Sequence, residues 1–311
     1  MSSRWFNTAV VVLWLATMSW LVKEKVLPPL LIGEPPSYSE IIEAQNRELP
    51  VGWDVFLDGR RIGWAMTDTK QQKSHVTEIH GRAHFDTFPI EAVTPGWLQP
   101  FSRLVGRPVQ DLRMDARSEL LIDTFGRLLR FDSAVRLEPW NEMISMRGTV
   151  DGGQLKFDVR SGDLSLSYEL PLPPKSLLSD ALSPQSRLPG LHVGQTWSVP
   201  IFNPLWPSKS PIEIIRATVE DTQPIFWCGV NENAWLVVYR HDSGSGAAGS
   251  QNPNGKLWVR RDGAVLRQEM ALSNSTIQFV RMSDKEAGRL IDRFGSQWWT
   301  FEAKPTNEGR K

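Results

Sequence analysis

Apolar and polar residues alternate with a period of two along most of the chain beyond residue 50. Between Leu112 and Asp123, the residues Leu112, Met114, Ala116, Ser118, Leu120 and Ile122 fall on one side, and Arg113, Asp115, Arg117 and Glu119 on the other. After a turn signal at Phe125-Gly126, Leu129, Phe131, Val135 and Leu137 alternate with Arg130, Asp132, Arg136 and Glu138. Leu155, Phe157 and Val159 repeat the pattern, as do Leu164, Leu166, Tyr168 and Leu170. This period predicts antiparallel strands with one face on a core and one in water. Asp58-Gly59 between WDVFL and RRIGWAM is a strong hairpin signal. Further turns are signalled at Asp151-Gly152-Gly153, Ser161-Gly162-Asp163 and Asp262-Gly263.

Helical signals are few. A short helix is expected over 179–188 and a better one over 283–294, where Ser283 caps and Glu286 completes a capping box. Residues 243–255 (SGSGAAGSQNPNG) read as a flexible loop between two strands. The expected fold is mainly β: a curved antiparallel sheet, a half-barrel with one or two short helices. So long a meander does not stay open and flat.

The N-terminus breaks the pattern. Trp5 to Val22 carries no charge, follows Arg4 and precedes Lys23, Glu24 and Lys25. It measures about 27 Å as a helix, enough for a marginal bilayer span, with Trp5 and Trp20 near the two interfaces. It is apolar all round, unlike a helix with one face on a core. Thr17-Met18-Ser19 before Trp20 is a poor signal-peptidase site, and no cysteine is present there for lipidation. The chain is therefore expected to have a cytoplasmic tip at 1–4 and an uncleaved transmembrane anchor at 5–22. A Pro-rich tether follows at 23–50, with one helical piece at 38–47. The β domain takes 51–282, and a C-terminal helix and tail take 283–311.

Lys and Arg total 35, as do Asp and Glu, so no net positive field favours nucleic acid as a partner. At 41% hydrophobic and 23% charged, the 311 residues have the make-up of a folded protein with a substantial core. The 14 Trp fill such a core or line a cleft. Cys228 is the single cysteine, which excludes an internal disulfide and any multi-cysteine zinc site.

Candidate chemistry is sparse. Cys228, His241 and Asp242 offer the components of a cysteine nucleophile, but His241 and Asp242 are adjacent and point to opposite faces of a strand. His75, His80 and His84 suggest a metal, yet four residues of strand put His80 and His84 about 13 Å apart. The alternating charges of 113–138 read as cross-strand pairing on a wet face. The segment from Trp197 to Pro207 holds three aromatics, and its prolines argue against a central strand. It reads as a loop across the sheet end, with Trp197, Phe202 and Trp206 as candidate lining of a ligand groove. No nucleotide-binding, nucleophile-elbow or metalloprotease motif is present. No catalytic residue, cofactor or metal is expected.

Several turn motifs together resemble a family. They are WDVFLDGRRIG (53–63), LLIDTFGRLLRFDSAV (120–135), PGLHVGQTW (189–197), IFNP (201–204), LWV (257–259) and DGAVLR (262–267). They are similar to the uncharacterised bacterial envelope β domains that precede transglutaminase-like domains, and to the DUF3108 group of periplasmic proteins. The resemblance implies a lipoprotein-carrier-like half-barrel at the bacterial inner membrane, single-pass, with its C-terminal domain outside the cytoplasm. The expected function is a non-enzymatic binding or scaffolding module holding a lipid or other apolar ligand. The alternative is an interaction partner of a transglutaminase-like or peptidase enzyme in the envelope, and a Cys-dependent enzyme comes last.

Overall fold

The computed structural model describes residues 3–21, 49–72, 76–88, 112–123, 127–138, 142–172, 177–178, 184–202, 212–241, 253–272, 275–295 and 297–301. Fifteen strands form one sheet. They are β1 (Val51–Leu57), β2 (Arg60–Gln71), β3 (Thr77–Phe88), β4 (Leu112–Ile122), β5 (Leu128–Glu138), β6 (Glu142–Asp151), β7 (Gln154–Ser161) and β8 (Leu164–Pro171), followed by β9 (Leu177–Leu178), β10 (Thr196–Phe202), β11 (Ile212–Trp227), β12 (Val230–His241), β13 (Gly255–Arg260), β14 (Val265–Leu272) and β15 (Ser275–Arg281). The helices among the described residues are α1 (Ser3–Leu21) and α2 (Asp284–Phe294).

The spatial order runs from β8 down to β1, then from β15 down to β9. Two meanders therefore meet at the β1–β15 pair, where Trp53 lies opposite Arg281 and Val55 opposite Phe279. All pairs are antiparallel except β9 with β10. The end strands β8 and β9 do not pair, so the sheet is not closed into a barrel.

One face is continuously apolar. Trp53, Phe85, Ala217, Val237, Val259 and Phe279 come from both meanders and are fully or almost fully buried in one cluster. The described helices do not cover that face, because α2 packs on the other one and the described side chains of α1 are exposed. Residues of both meanders line that face, and register shifts in the β1–β2, β3–β4, β4–β5, β11–β12 and β13–β14 pairs bend the strands locally. Each large side chain buried this way contributes about 1.5–3 kcal/mol.

The hairpin signals hold where the structure describes them. Asp58 and Gly59 have φ of 48° and 81°, the two left-handed positions of a type I′ turn. Helix α2 carries the expected Ser283–Glu286 capping box. Its seat is Gly52 on β1: a Cβ there would stand 3.0 Å from Met282 Sδ and 3.1 Å from Ala287 Cβ.

Four expectations are corrected. Leu128, not Leu129, enters the core, because Leu129 is the extra residue of a bulge that pairs Ile122 with Leu128 and Leu121 with Arg130. Residues 177–178 form a strand and 184–188 are not helical. Residues 196–202 are strand β10 rather than loop, and Pro200 is tolerated because β9 pairs only with Ile201 and Phe202. Finally, no helix among the described residues is long and apolar enough to cross a membrane. Helix α1 takes in Arg4 and ends at Leu21, so its uncharged part, Trp5 to Leu21, spans about 26 Å. The tether, its helical piece at 38–47, the Phe125-Gly126 turn and most of the 243–255 loop lie outside the described residues.

Candidate functional site

Pairing brings charged residues into rows on the outer face. Asp68 on β2 is opposite His80 on β3, His80 opposite Glu119 on β4, Glu119 opposite Asp132 on β5, and Asp132 opposite Arg147 on β6. His80 thus sits between two carboxylates, and Glu78 adds a third from its own strand, with Oε1 3.1 Å from His80 Nε2. Gln72 Nε2 donates to the other Glu78 oxygen at 2.9 Å. Lys70 pairs with Asp68 at 3.1 Å. His80 is 3% exposed, and its Nδ1 is buried without a hydrogen-bond partner.

The next positions along these strands are strapped by the chain end. Arg82 donates to both oxygens of Asp115, at 3.0 and 2.6 Å, and to the carbonyls of Trp298 and Thr300, at 2.8 and 3.1 Å. Trp299 then stacks on His80 with centroids 4.4 Å apart, and the Lys70 ammonium lies 4.4 Å from the same indole. Arg117 and Arg136 lie over Phe301. A charged sheet face is thereby roofed by two aromatic rings, a geometry in which each cation–π contact contributes about 0.5–2 kcal/mol.

A second surface lies on the inner face of the β5–β8 arm. Leu120, Phe131, Gly148, Phe157 and Tyr168 stand opposite one another across five strands. Gly148 is needed because a Cβ there would fall 2.1 Å from the Phe131 ring. The rings of Phe131 and Phe157 are 5.6 Å apart, and those of Phe157 and Tyr168 6.4 Å. The row begins buried and ends open: Phe131 is 1% exposed, Tyr168 44%. Leu164 and Leu166 beside it on β8 are also exposed.

The residues singled out in the sequence fall elsewhere. Trp197 on β10 is buried in the main core. Phe202 ends β10 opposite Ile212, and Trp206 lies outside the described residues. His84 shares the outer face with His80 but stacks on Trp64 and approaches Asp86 at 3.5 Å, while His75 lies outside the described residues. The charges of 113–138 do pair across strands, as in Arg82–Asp115 and Asp132–Arg147.

Cys228 is exposed. It occupies the β11–β12 turn at φ 46°, with Gly229 at 85°. Desolvation, then the charges of Glu286 and Asp284, push its thiol above the ordinary range, the opposite of an activated nucleophile. His241 ends β12, which begins at Val230 beside that turn. Roughly 36 Å of strand separates the two residues, and Asp242 lies outside the described residues.

No family model matches the chain, and no curated protein matches it. Two solved structures are similar in part. One is a β-barrel-like protein of a domain of unknown function, DUF1849, from Brucella abortus. It is 11% identical with a TM-score of 0.43, over 75% of this chain and 95% of that one. The other is a DUF1089 family protein from Pseudomonas aeruginosa, 17% identical with a TM-score of 0.32, over 65% and 87%. The resemblance to the DUF3108 group finds no support in these comparisons. Two of its six motifs, 53–63 and 262–267, are centred on Asp-Gly turns, which hairpins of many families share.

Proposed function

We propose that this protein is a non-enzymatic binding module of the bacterial envelope, held at the inner membrane by α1, whose β5–β8 arm receives an apolar ligand. The row from Phe131 through Phe157 to Tyr168 carries this reading. It is a continuous apolar surface, buried at one end and open at the other, of the kind on which apolar ligands commonly sit. On this reading the ligand face is on β8, and Trp197, buried in the main core, is not part of it.

The test uses the delipidated full-length chain in detergent and a fluorescent polyene fatty acid. Saturable binding is expected, with a loss of about tenfold or more in Tyr168→Asp and in Leu166→Asp, since burying a carboxylate on an apolar ligand face is costly. Binding that neither substitution changes removes the reading.

α1 alone falls short of a bilayer span, and what supports membrane tethering is the surface of that helix. Its ten described side chains, residues 11–20, are all exposed on every side of the helix, and Val12, Leu13 and Trp20 are among the most exposed apolar groups of the chain. The chain from Trp5 to Val22 is uncharged. The full-length chain is expected to stay in membranes through a carbonate wash, and a chain lacking residues 1–22 to be released; release of both excludes the tether. A C-terminal alkaline phosphatase fusion active in cells is expected if the domain lies outside the cytoplasm.

A second reading has its own observation. Among the described residues β8 ends the sheet and pairs with β7 alone, so its outer backbone edge can accept an extended segment of another envelope protein, such as a transglutaminase-like or peptidase enzyme. A photo-crosslinker at Ser165 would then capture one defined protein in cells, whereas labelling of lipid alone favours the first reading.

A further inference from the structure

The corner around His80 has chemistry that the apolar arm does not use. Glu78, His80 and Glu119 each offer one ligand atom, and the three atoms lie within 4.8 Å of one another. Two further facts separate this group from an ordinary charged patch. His80 is almost wholly buried, and its Nδ1 has no hydrogen-bond partner. Nδ1 lies on the ring edge away from the Nε2 that meets Glu78, so its lack of a partner records the burial of the imidazole rather than the seat of a ligand. Glu119 makes no hydrogen bond or ion pair with any described residue, although it stands directly opposite His80.

The charge balance points the same way. Asp68 and Glu119 stand opposite His80 on the neighbouring strands and Glu78 meets its Nε2, and among the described residues Lys70, paired with Asp68, is the ammonium beside them. Arg117, the next outward residue on β4, is turned to Asp132 and the Phe301 ring. Arg82 is fully engaged by Asp115 and two carbonyls.

We propose that Glu78, His80 and Glu119 bind a first-row divalent cation of the zinc class beneath the Trp299 ring. One imidazole with two carboxylates is a borderline donor set, which suits Zn²⁺ above Ca²⁺ or Mg²⁺. Ligand atoms at 2.0–2.1 Å from a tetrahedral zinc stand about 3.3 Å from one another. Glu78 Oε1 and His80 Nε2 are already 3.1 Å apart. Glu119, without a partner among the described residues, supplies the third side, its ligand atom within 4.8 Å of the other two. Gln72, on the second Glu78 oxygen, fixes that carboxylate as an outer partner should. Three protein ligands leave a fourth position for water or a partner's side chain. Because Trp299 stacks on His80, the cation would also pin the C-terminal strap to the sheet.

The experiment is a titration of the untagged, chelator-stripped full-length chain with ZnCl₂, and with CoCl₂ as a spectroscopic stand-in. One equivalent is expected to bind, changing tryptophan fluorescence and giving the visible d–d absorption of four-coordinate cobalt. Glu119→Gln, a half-buried and near-isosteric change, is expected to weaken binding by about tenfold or more. Cys228→Ser, remote from the site, is expected to leave it unchanged. The absence of saturable binding, full affinity in Glu119→Gln, loss in Cys228→Ser, or a preference for Ca²⁺ over Zn²⁺ would each overturn the assignment. Fatty-acid binding at β8 is read separately, so either site can fail without the other.

Discussion

Arg82 and Asp115 are joined by two parallel hydrogen bonds between neighbouring strands, and the same guanidinium holds the carbonyls of Trp298 and Thr300. One buried side chain thus ties β3, β4 and the chain end together. Lysine cannot reproduce this fork. Arg82→Lys is expected to lose about 2–4 kcal/mol in chemical denaturation and to expose Trp298 and Trp299 to fluorescence quenchers. A variant within about 0.5 kcal/mol of the parent, with its indoles still protected, would mean that the strap stands without the arginine.

Gly52 is where α2 comes closest to the sheet. Alanine there has to push aside Met282 and Ala287, so Gly52→Ala is expected to cost about 1–3 kcal/mol, as overpacking does. Gly59→Ala meets no neighbouring atom but sits at φ 81°, so its cost comes from backbone strain alone. Equilibrium unfolding of both variants separates crowding from strain. A neutral Gly52→Ala would show that α2 is free to shift.

Asp262 holds Arg260 through two bonds of 3.0 and 2.7 Å and accepts from the Ala264 amide. The hydrogen bond from Arg260, foremost among these influences, lowers its carboxyl from 3.8 to about 2. A carboxylate depressed in the folded state stabilises above its unfolded value, and that contribution is lost as pH falls from about 4 to about 2. The side chain is half exposed, so the gain at neutral pH is under about 1 kcal/mol after screening. Asp262→Asn is expected to be less stable than the parent at pH 7 and level with it near pH 2. A gap that widens on acidification would contradict this.

The Cys228 thiol is raised first by desolvation and then by Glu286 and Asp284. It is expected to react with iodoacetamide at pH 8 more slowly than a free cysteine, despite its exposure. Asp284→Asn removes a negative charge, lowers the thiol pKa and increases the rate. An unchanged rate would leave burial as the whole cause.

Local features were legible in the sequence. Alternation along β4 and β7, the Asp58-Gly59 turn and the Ser283–Glu286 cap depend on neighbours a few residues apart, and all appear as expected. The His80 corner was not legible. Glu78 and His80 share a strand face, but Glu119 reaches them through a β3–β4 register set across residues 89–111, and Trp299 arrives from the far end of the chain. The Leu129 bulge was hidden for a related reason: a shift of one residue is decided by the partner strand, not by the pattern of its own. The aromatics of 197–206 drew attention by their density, whereas the open row on β8 is built one residue per strand.

The seam between β1 and β15 sets a timetable. Val55 cannot meet Phe279, nor Trp53 meet Arg281, until nearly the whole chain has been made. Each meander can begin to form from its own hairpins, but the cluster that contains Trp53 and Phe279 draws on both. Pairing at such sequence separation makes folding slow. A chain stalled or clipped before residue 275 would carry two half-sheets, each with a raw apolar edge, and would be a substrate for chaperones or proteases before it was a protein.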